Sequence, residues 1–503
     1  MTAGADVAFQ ASARFAFFDY FRVPYRVGVM PPTGRSAPRV GSMLGELRPA
    51  GGPAGRGLFW VRSASRRATR AGLFELAGFP IAGRVVPDDV VRRELLPDAT
   101  GWRRAEPVCD PARRPVASVW RDETGGVLLP FDPGELMTTL WSERYRELLT
   151  GPATAVVRRL ALRGYYLVRP ALPRPVQLRL RRAFTAVQGR ATFPRWPVED
   201  ALHDLYGWLF AELDRLAGTP VPWLDLWPNG RSWALVLTHD VETAAGWQSR
   251  LLLRDPEREF GLRSSWNLVA ERYQVDDAML RELRQEGCEI GVHGLRHDGR
   301  DLGSRRLLRR RGPAMQAAAR RWDAVGFRSP ATHRRWEWMP QLGFEYDSSS
   351  PDTDPYEPQP GGCCSVLPFH NTDLVELPIT LPQDHTLFIL LDQPDGALWL
   401  EKLARIRAMG GMALVLTHPD YAGDPRVPAA YRSLLAEAAA DPEVWPALPR
   451  EVADWWRRRA ASDLRPDGLG GWLVAGPAAG TGRVRLGGTG PTPPATPTAV
   501  AGQ

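Results

Sequence analysis

From residue 230 onward the chain alternates nearly continuous apolar runs with stretches of helical periodicity, and this alternation limits the fold more than any other feature. The apolar runs are "WALVLT" (233–238), "SSWNLVA" (264–270), "EIGVH" (289–293), "GFRSP" (326–330), "LVELP" (374–378) and "MALVLTH" (412–418). Between them lie helix-like stretches. "DDAMLRELRQEG" (276–287) begins with acids and ends with glycine, and "ALWLEKLARIRAMG" (397–410) does not break its periodicity. A third, through 305–326, contains Pro313. Runs without polar alternation suit strands covered on both faces, as in parallel sheets flanked by helices. Over about 230 residues that means a barrel or a doubly wound sheet.

The chemistry-bearing residues sit where these strands end. Of eight histidines, His239, His293 and His418 each follow an apolar run, and His297 comes just after His293. Asp240 and Glu242 close the first run, and Arg328 follows the short one at 326. In parallel α/β folds the carboxyl ends of strands meet at one rim, where sites form. "HGLRH" spaces His293 and His297 four apart, which on a helical turn puts both imidazoles on one side, a metal-ligand spacing. Two neutral nitrogens and one carboxylate leave open positions on a divalent ion, a site suited to activating water and polarising a carbonyl.

As a set, "LTHDVE", "HGLRH", "FRSP" and "LVLTH" resemble, in order and spacing, the motifs of the polysaccharide deacetylases of the NodB-homology type, carbohydrate esterase family four. The resemblance spans about 230–460. It implies an α/β fold, a distorted (β/α) barrel of the NodB-homology type, and a hydrolase that removes N- or O-acetyl groups from sugars with a divalent metal: zinc, with cobalt, manganese or nickel as alternatives. It implies His293 and His297 as metal ligands and Asp240 as the acid of the first motif. Arg328 would orient the catalytic carboxylate, His418 would protonate the leaving group, and Leu416 would help form the pocket for the acetyl methyl. The family's first motif has two adjacent Asp residues where this chain has His239 and Asp240. In one register Asp240 binds metal and His239 is the base or the base is missing. In the other, "DVE" acts as acid-x-acid, Asp240 is the base and Glu242 the third ligand, and period-two alternation puts both acids on one face. Both registers stay open, with Asp240 as ligand preferred. Gly294 stands where the family often has Ser or Thr.

The remaining chain is less informative. Residues 1–150 mix short apolar runs with Gly/Pro turns and suggest an additional N-terminal α/β or α+β domain, with Asp132 capping a helix in "PFDPGELMTTLW". Residues 151–229 form an Arg/Pro-rich connector and a helix over 198–218. The connector's basic stretch either packs on the next domain or makes peripheral membrane contact. The barrel is expected over 230–462 and a disordered Gly/Pro-rich tail over 463–503. The segment 343–369 reads either as a lining of a sugar groove or as a rim loop stiffened by prolines. Asp347, Asp354 and Asp384 are all candidates to support His418.

Net charge is +7, but 64 basic residues include only one lysine, Lys402, which fits composition bias better than a nucleic-acid surface. Four cysteines without CxxC spacing, no signal-like N-terminus and no run of about 18 apolar residues suggest a reduced, cytoplasmic protein without a membrane span. The expected partner is then an acetylated saccharide or glycan precursor in cell-surface polysaccharide metabolism, with no nucleic acid. Two alternatives are a glycan-binding protein on the same barrel, which His239 would permit, and a hydrolase of a non-sugar amide.

Overall fold

In a computed structural model of the chain, residues 16–27, 44–49, 57–61, 69–96, 101–149, 185, 188–189 and 192–487 are described. They fall into two compact units. One gathers Met1–Val157, Asp200–Asp225 and Arg459–Gln503; the other, Arg158–Glu199 and Leu226–Arg458. No helix among the described residues is long and apolar enough to cross a membrane. The basic stretch of the connector, for which packing on the next domain and peripheral membrane contact are both open, lies almost wholly outside the described residues.

The first unit holds an eight-stranded sheet, antiparallel throughout except where Leu58–Val61 runs parallel to Val127–Leu129. Asp132 caps the helix Pro133–Trp141 through the amides of Gly134 and Glu135. The expected helix forms at Ala201–Ala217 and ends at Gly218 in the left-handed conformation. Phe210 on this helix meets Phe17 at 5.0 Å. The expected disordered tail is corrected in part. Asp463–Pro466 and Trp472–Ala475 form a hairpin, and Val484–Leu486 pairs with Pro222–Leu224. Glycine and proline content hid the strand-forming residues Leu464, Val474 and Val484; residues 488–503 lie outside the described residues.

The second unit is the parallel α/β structure that the alternation predicts. Its strands are β1 (Trp233–Val241), β2 (Ser264–Leu268), β3 (Glu289–Val292), β4 (Gly326–Phe327), β5 (Tyr346–Asp347), β6 (Phe369–Asn371), β7 (Leu374–Glu376), β8 (Met412–Thr417) and β9 (Val444–Pro446). The sheet runs β6-β7-β5-β4-β3-β2-β1-β8, with β9 against β1; only the β6–β7 pair is antiparallel. The two edges then meet. Beyond β7, Ile379 bridges to Pro351, and the amides of Thr380 and Leu381 bond to Leu414 O on β8 at 3.3 and 3.2 Å. A short run of bonds rather than a full ladder closes the ring, which makes this a distorted barrel.

All nine residues of β1 are buried, yet its two faces differ. Trp233, Leu235 and Leu237 join Ala413 and Val415 of β8 in a core with Trp399, Leu403, Val427 and Leu434, supplied by the helices Ala397–Ala408 and Arg426–Ala439. The alternate residues Val236, Thr238 and Asp240 therefore face the barrel interior. The segment 343–369 is largely packed inside rather than lining an open groove: Ser350–Asp354 are buried, and Lys402 on the helix Ala397–Ala408 pairs with Asp352 at 2.7 Å.

Candidate metal centre

The register of the sheet brings the strand ends to one rim. On β1, Thr238 lies opposite Leu416 of β8 and Asp240 opposite Asn267 of β2. His293 directly follows β3, and Arg328 directly follows β4, donating its amide to Val292 O at 2.9 Å. His418 ends β8.

Glu242, His293 and His297 bring one ligand atom each to within 4.8 Å of one another. Glu242 Oε1 lies 3.1 Å from His297 Nε2. The His293 and His297 rings are 5.0 Å apart. They do not share a helical turn. Residues 295–299 form a bend, and His297 has a φ of 52°. Asp301 shapes the bend by accepting the Leu295 amide at 3.0 Å while pairing with Arg311 at 2.7 Å. Gly294 is required there: its φ is 68°, and a Cβ would lie 2.7 Å from Pro330. A Ser or Thr at this position has no room.

These residues fit a divalent metal. His293 Nδ1 faces Arg328 O at 3.1 Å, which assigns the ring proton to Nδ1 and leaves Nε2 as a lone pair. That Nε2 is buried and has no hydrogen-bond partner. Burial, partly offset by Asp240, lowers the His293 pKa to about 4, so the ring is neutral near pH 7 as a ligand must be. Burial alone would raise the Glu242 carboxyl, but the hydrogen bond from His297 and the charge of His418 hold it well below its ordinary range.

Asp240 stands beside this triad and is not part of it. Asn267 Nδ2 donates to its Oδ1 at 2.8 Å, Arg328 lies 3.7 Å from Oδ1, and His293 Nδ1 lies 3.6 Å from Oδ2. Burial would raise its pKa; the interaction with His293, the charges of Arg328 and His418 and the Asn267 amide reverse this and keep it ionised. Arg328 is fully buried and fixed by Ser348 Oγ and Thr238 Oγ1. His418 Nε2 lies 3.9 Å from Glu242, and its Nδ1 lies 2.7 Å from Asp384. Burial would lower the His418 pKa, but Asp384, Glu242 and Asp240 together raise it to about 10. Leu416 is buried on the interior face.

His239 departs from the sequence expectation. Strand alternation turns it to the helix side of β1, opposite Asp240. There it is fully buried, with Nε2 2.6 Å from Glu257, Nδ1 2.8 Å from Thr417 Oγ1 and its ring 4.3 Å from Trp266. It cannot reach a reacting group at the rim. Asp347 and Asp354 do not contact His418; Asp384 does. Sequence reading missed Asn267, although it is a polar residue on an apolar strand in register with Asp240.

Just under half of the chain is similar to solved polysaccharide deacetylases. A protein described as a polysaccharide deacetylase from Mycobacterium smegmatis is 23% identical, and the match covers 48% of this chain and 98% of that one with a TM-score of 0.37. PuuE allantoinase matches at 16% identity over 46% of this chain and 92% of its own, with a TM-score of 0.38. The peptidoglycan deacetylase PdaC from Bacillus subtilis matches at 14% identity over 46% and 95%, with a TM-score of 0.29. No family model and no curated protein matches the chain.

Proposed function

We propose that this chain is a metal-dependent hydrolase that removes acetyl groups from a saccharide. The observation that carries the reading is the grouping of three kinds of side chain at one rim: a Glu242–His293–His297 donor set, a separate ionised carboxylate at Asp240, and a protonated imidazole at His418. Glu242, His293 and His297 would hold the ion, with zinc the preferred occupant and cobalt, manganese or nickel as alternatives. When bound, the ion supplies Lewis acidity toward a carbonyl oxygen and a water.

The chain's own residues do the rest. Asp240 takes the proton from the attacking water; Asn267 and Arg328 hold its carboxylate in place. His418, kept protonated by Asp384, gives a proton to the departing amine or alkoxide. Leu416 forms part of the wall for the acetyl methyl. Asp240 as base and Glu242 as ligand is the second of the two registers, and it removes the reason His239 gave for a binding protein without a base. The substrate is an acetylated saccharide or glycan precursor, handled in the cytoplasm and without nucleic acid.

Acetate release from N- and O-acetylated oligosaccharides, assayed with each added metal, tests the proposal. Wild type should release acetate, and Asp240→Asn and His418→Ala should not. Metal binding without acetate release from any such substrate would leave a binding protein instead.

A further inference from the structure

Asp420 lies two residues beyond His418, in the turn that leaves β8. Its carboxylate reaches back to the loop that follows β1. Oδ2 accepts the backbone N–H of Glu242 at 2.9 Å, and Oδ1 accepts the hydroxyl of Thr243. Thr243 in turn caps the short helix α1 (Ala244–Gln248), its Oγ1 accepting the Gly246 amide at 3.1 Å. Gly246 leaves space for this contact: a Cβ there would lie 2.2 Å from Asp420 Oδ2. The turn is also held at its start, where the Tyr421 amide bonds to His418 O at 2.9 Å. One carboxylate thus ties the segment that carries His418 to the backbone of Glu242.

We infer that Asp420 is a positioning residue that fixes Glu242 for metal binding. Glu242 is the first residue past β1, where strand pairing no longer holds its N–H. Its side chain has three rotatable bonds and must still place one oxygen beside His297. Asp420 anchors the backbone at this residue, and through Thr243 it anchors the next one, so the carboxylate is delivered from a fixed root. Partners that hold ligands in this way commonly change metal affinity by about 10–100-fold. The inference rests on the reading of Glu242, His293 and His297 as metal ligands.

The test is a zinc titration of the full chain by calorimetry in competition with a chelator, with circular dichroism of each metal-free variant. Asp420→Ala should bind zinc about 10–100-fold more weakly than wild type. Asp420→Asn retains an oxygen that can accept the Glu242 amide and should recover most of the loss. Gly246→Ala puts a Cβ against the same carboxylate, displaces it and should weaken binding as Asp420→Ala does; it decides the matter if Asp420→Ala does not fold. A folded Asp420→Ala or Gly246→Ala that binds zinc as wild type does overturns the inference. Glu242→Ala and His293→Ala in the same titration separate the two levels. If they lose zinc while Asp420→Ala keeps it, the triad stands and Asp420 is not its support. If they too bind as wild type, the triad itself is wrong and the inference falls with it.

Discussion

Asp384 holds His418 at two points: Oδ1 lies 2.7 Å from Nδ1, and Oδ2 accepts the His418 backbone N–H at 2.7 Å. The second bond ties the carboxylate to the His418 backbone, so ring orientation and ring charge come from one group. The His418 pKa stands near 10 in the folded chain against 6.5 for the free group. A raised pKa means that the folded form binds the proton more tightly. The stabilisation is present in full below about pH 6.5 and is lost as pH rises through about 10. In Asp384→Asn the alkaline limb of kcat should move to lower pH. The stability deficit of that variant, measured by urea unfolding, should be larger at pH 6 than at pH 10.

Asp240→Asn and Glu242→Ala should fail differently. Asp240 lies outside the donor triad, so Asp240→Asn should keep metal binding and lose about 10²–10⁴-fold in kcat, the usual worth of a general base. Glu242→Ala should lose metal, and excess metal should restore part of its activity. Metal content by atomic emission beside acetate-release kinetics checks both. Loss of metal in Asp240→Asn would return Asp240 to the ligand set.

Much of this arrangement could be read from the sequence, because strand ends in a parallel sheet collect at one rim whatever the loops do. His293, His297, Arg328 and His418 are all found there. The error at His239 came from following its place in a motif instead of its parity. Thr238 and Asp240 alternate inward, so His239 between them had to face the helices, and the sequence already contained that pattern. Asp384 could not be picked from among the acids, since its bond to His418 spans 34 residues and "LPQDHT" bears no strand signal. Asp420 was invisible for the same reason: it acts on a loop 178 residues earlier.

His239 should matter for stability and not for metal. Glu257 is fully buried and accepts from His239, Ser264, Tyr431 and Arg254. His239→Ala removes one of these partners, opens a cavity against Trp266 and leaves Thr417 without its ring contact. Losing a hydrogen bond to a buried carboxylate typically costs about 1.5–3 kcal/mol. Denaturant unfolding should show a loss of that order, while zinc stoichiometry of the folded fraction stays at the wild-type value. Loss of zinc from folded His239→Ala would place this residue in the site after all.

Lys402 is the single lysine in a chain of 64 basic residues, and it is buried against Asp352 at 2.7 Å. Its compact ammonium fits a position where a forked guanidinium needs more space and more acceptors. Removing one partner of a buried pair leaves the other charge uncompensated, so Lys402→Met should cost about 3–5 kcal/mol near pH 8. Lys402→Arg should recover only part of this. Burial raises Asp352 to about 6 even with Lys402 lowering it, and without Lys402 it rises further. A carboxyl whose folded pKa is raised takes up its proton more readily in the folded chain, so its burial penalty grows as pH rises from about 4 through its folded pKa. The Lys402→Met deficit should therefore be smaller at pH 5 than at pH 8, and Asp352→Asn in the same background should remove most of that pH dependence. Urea unfolding of the two single variants and the double variant at both pH values reads this directly. A deficit equal at pH 5 and pH 8 would mean that Asp352 is not the group left unpaired.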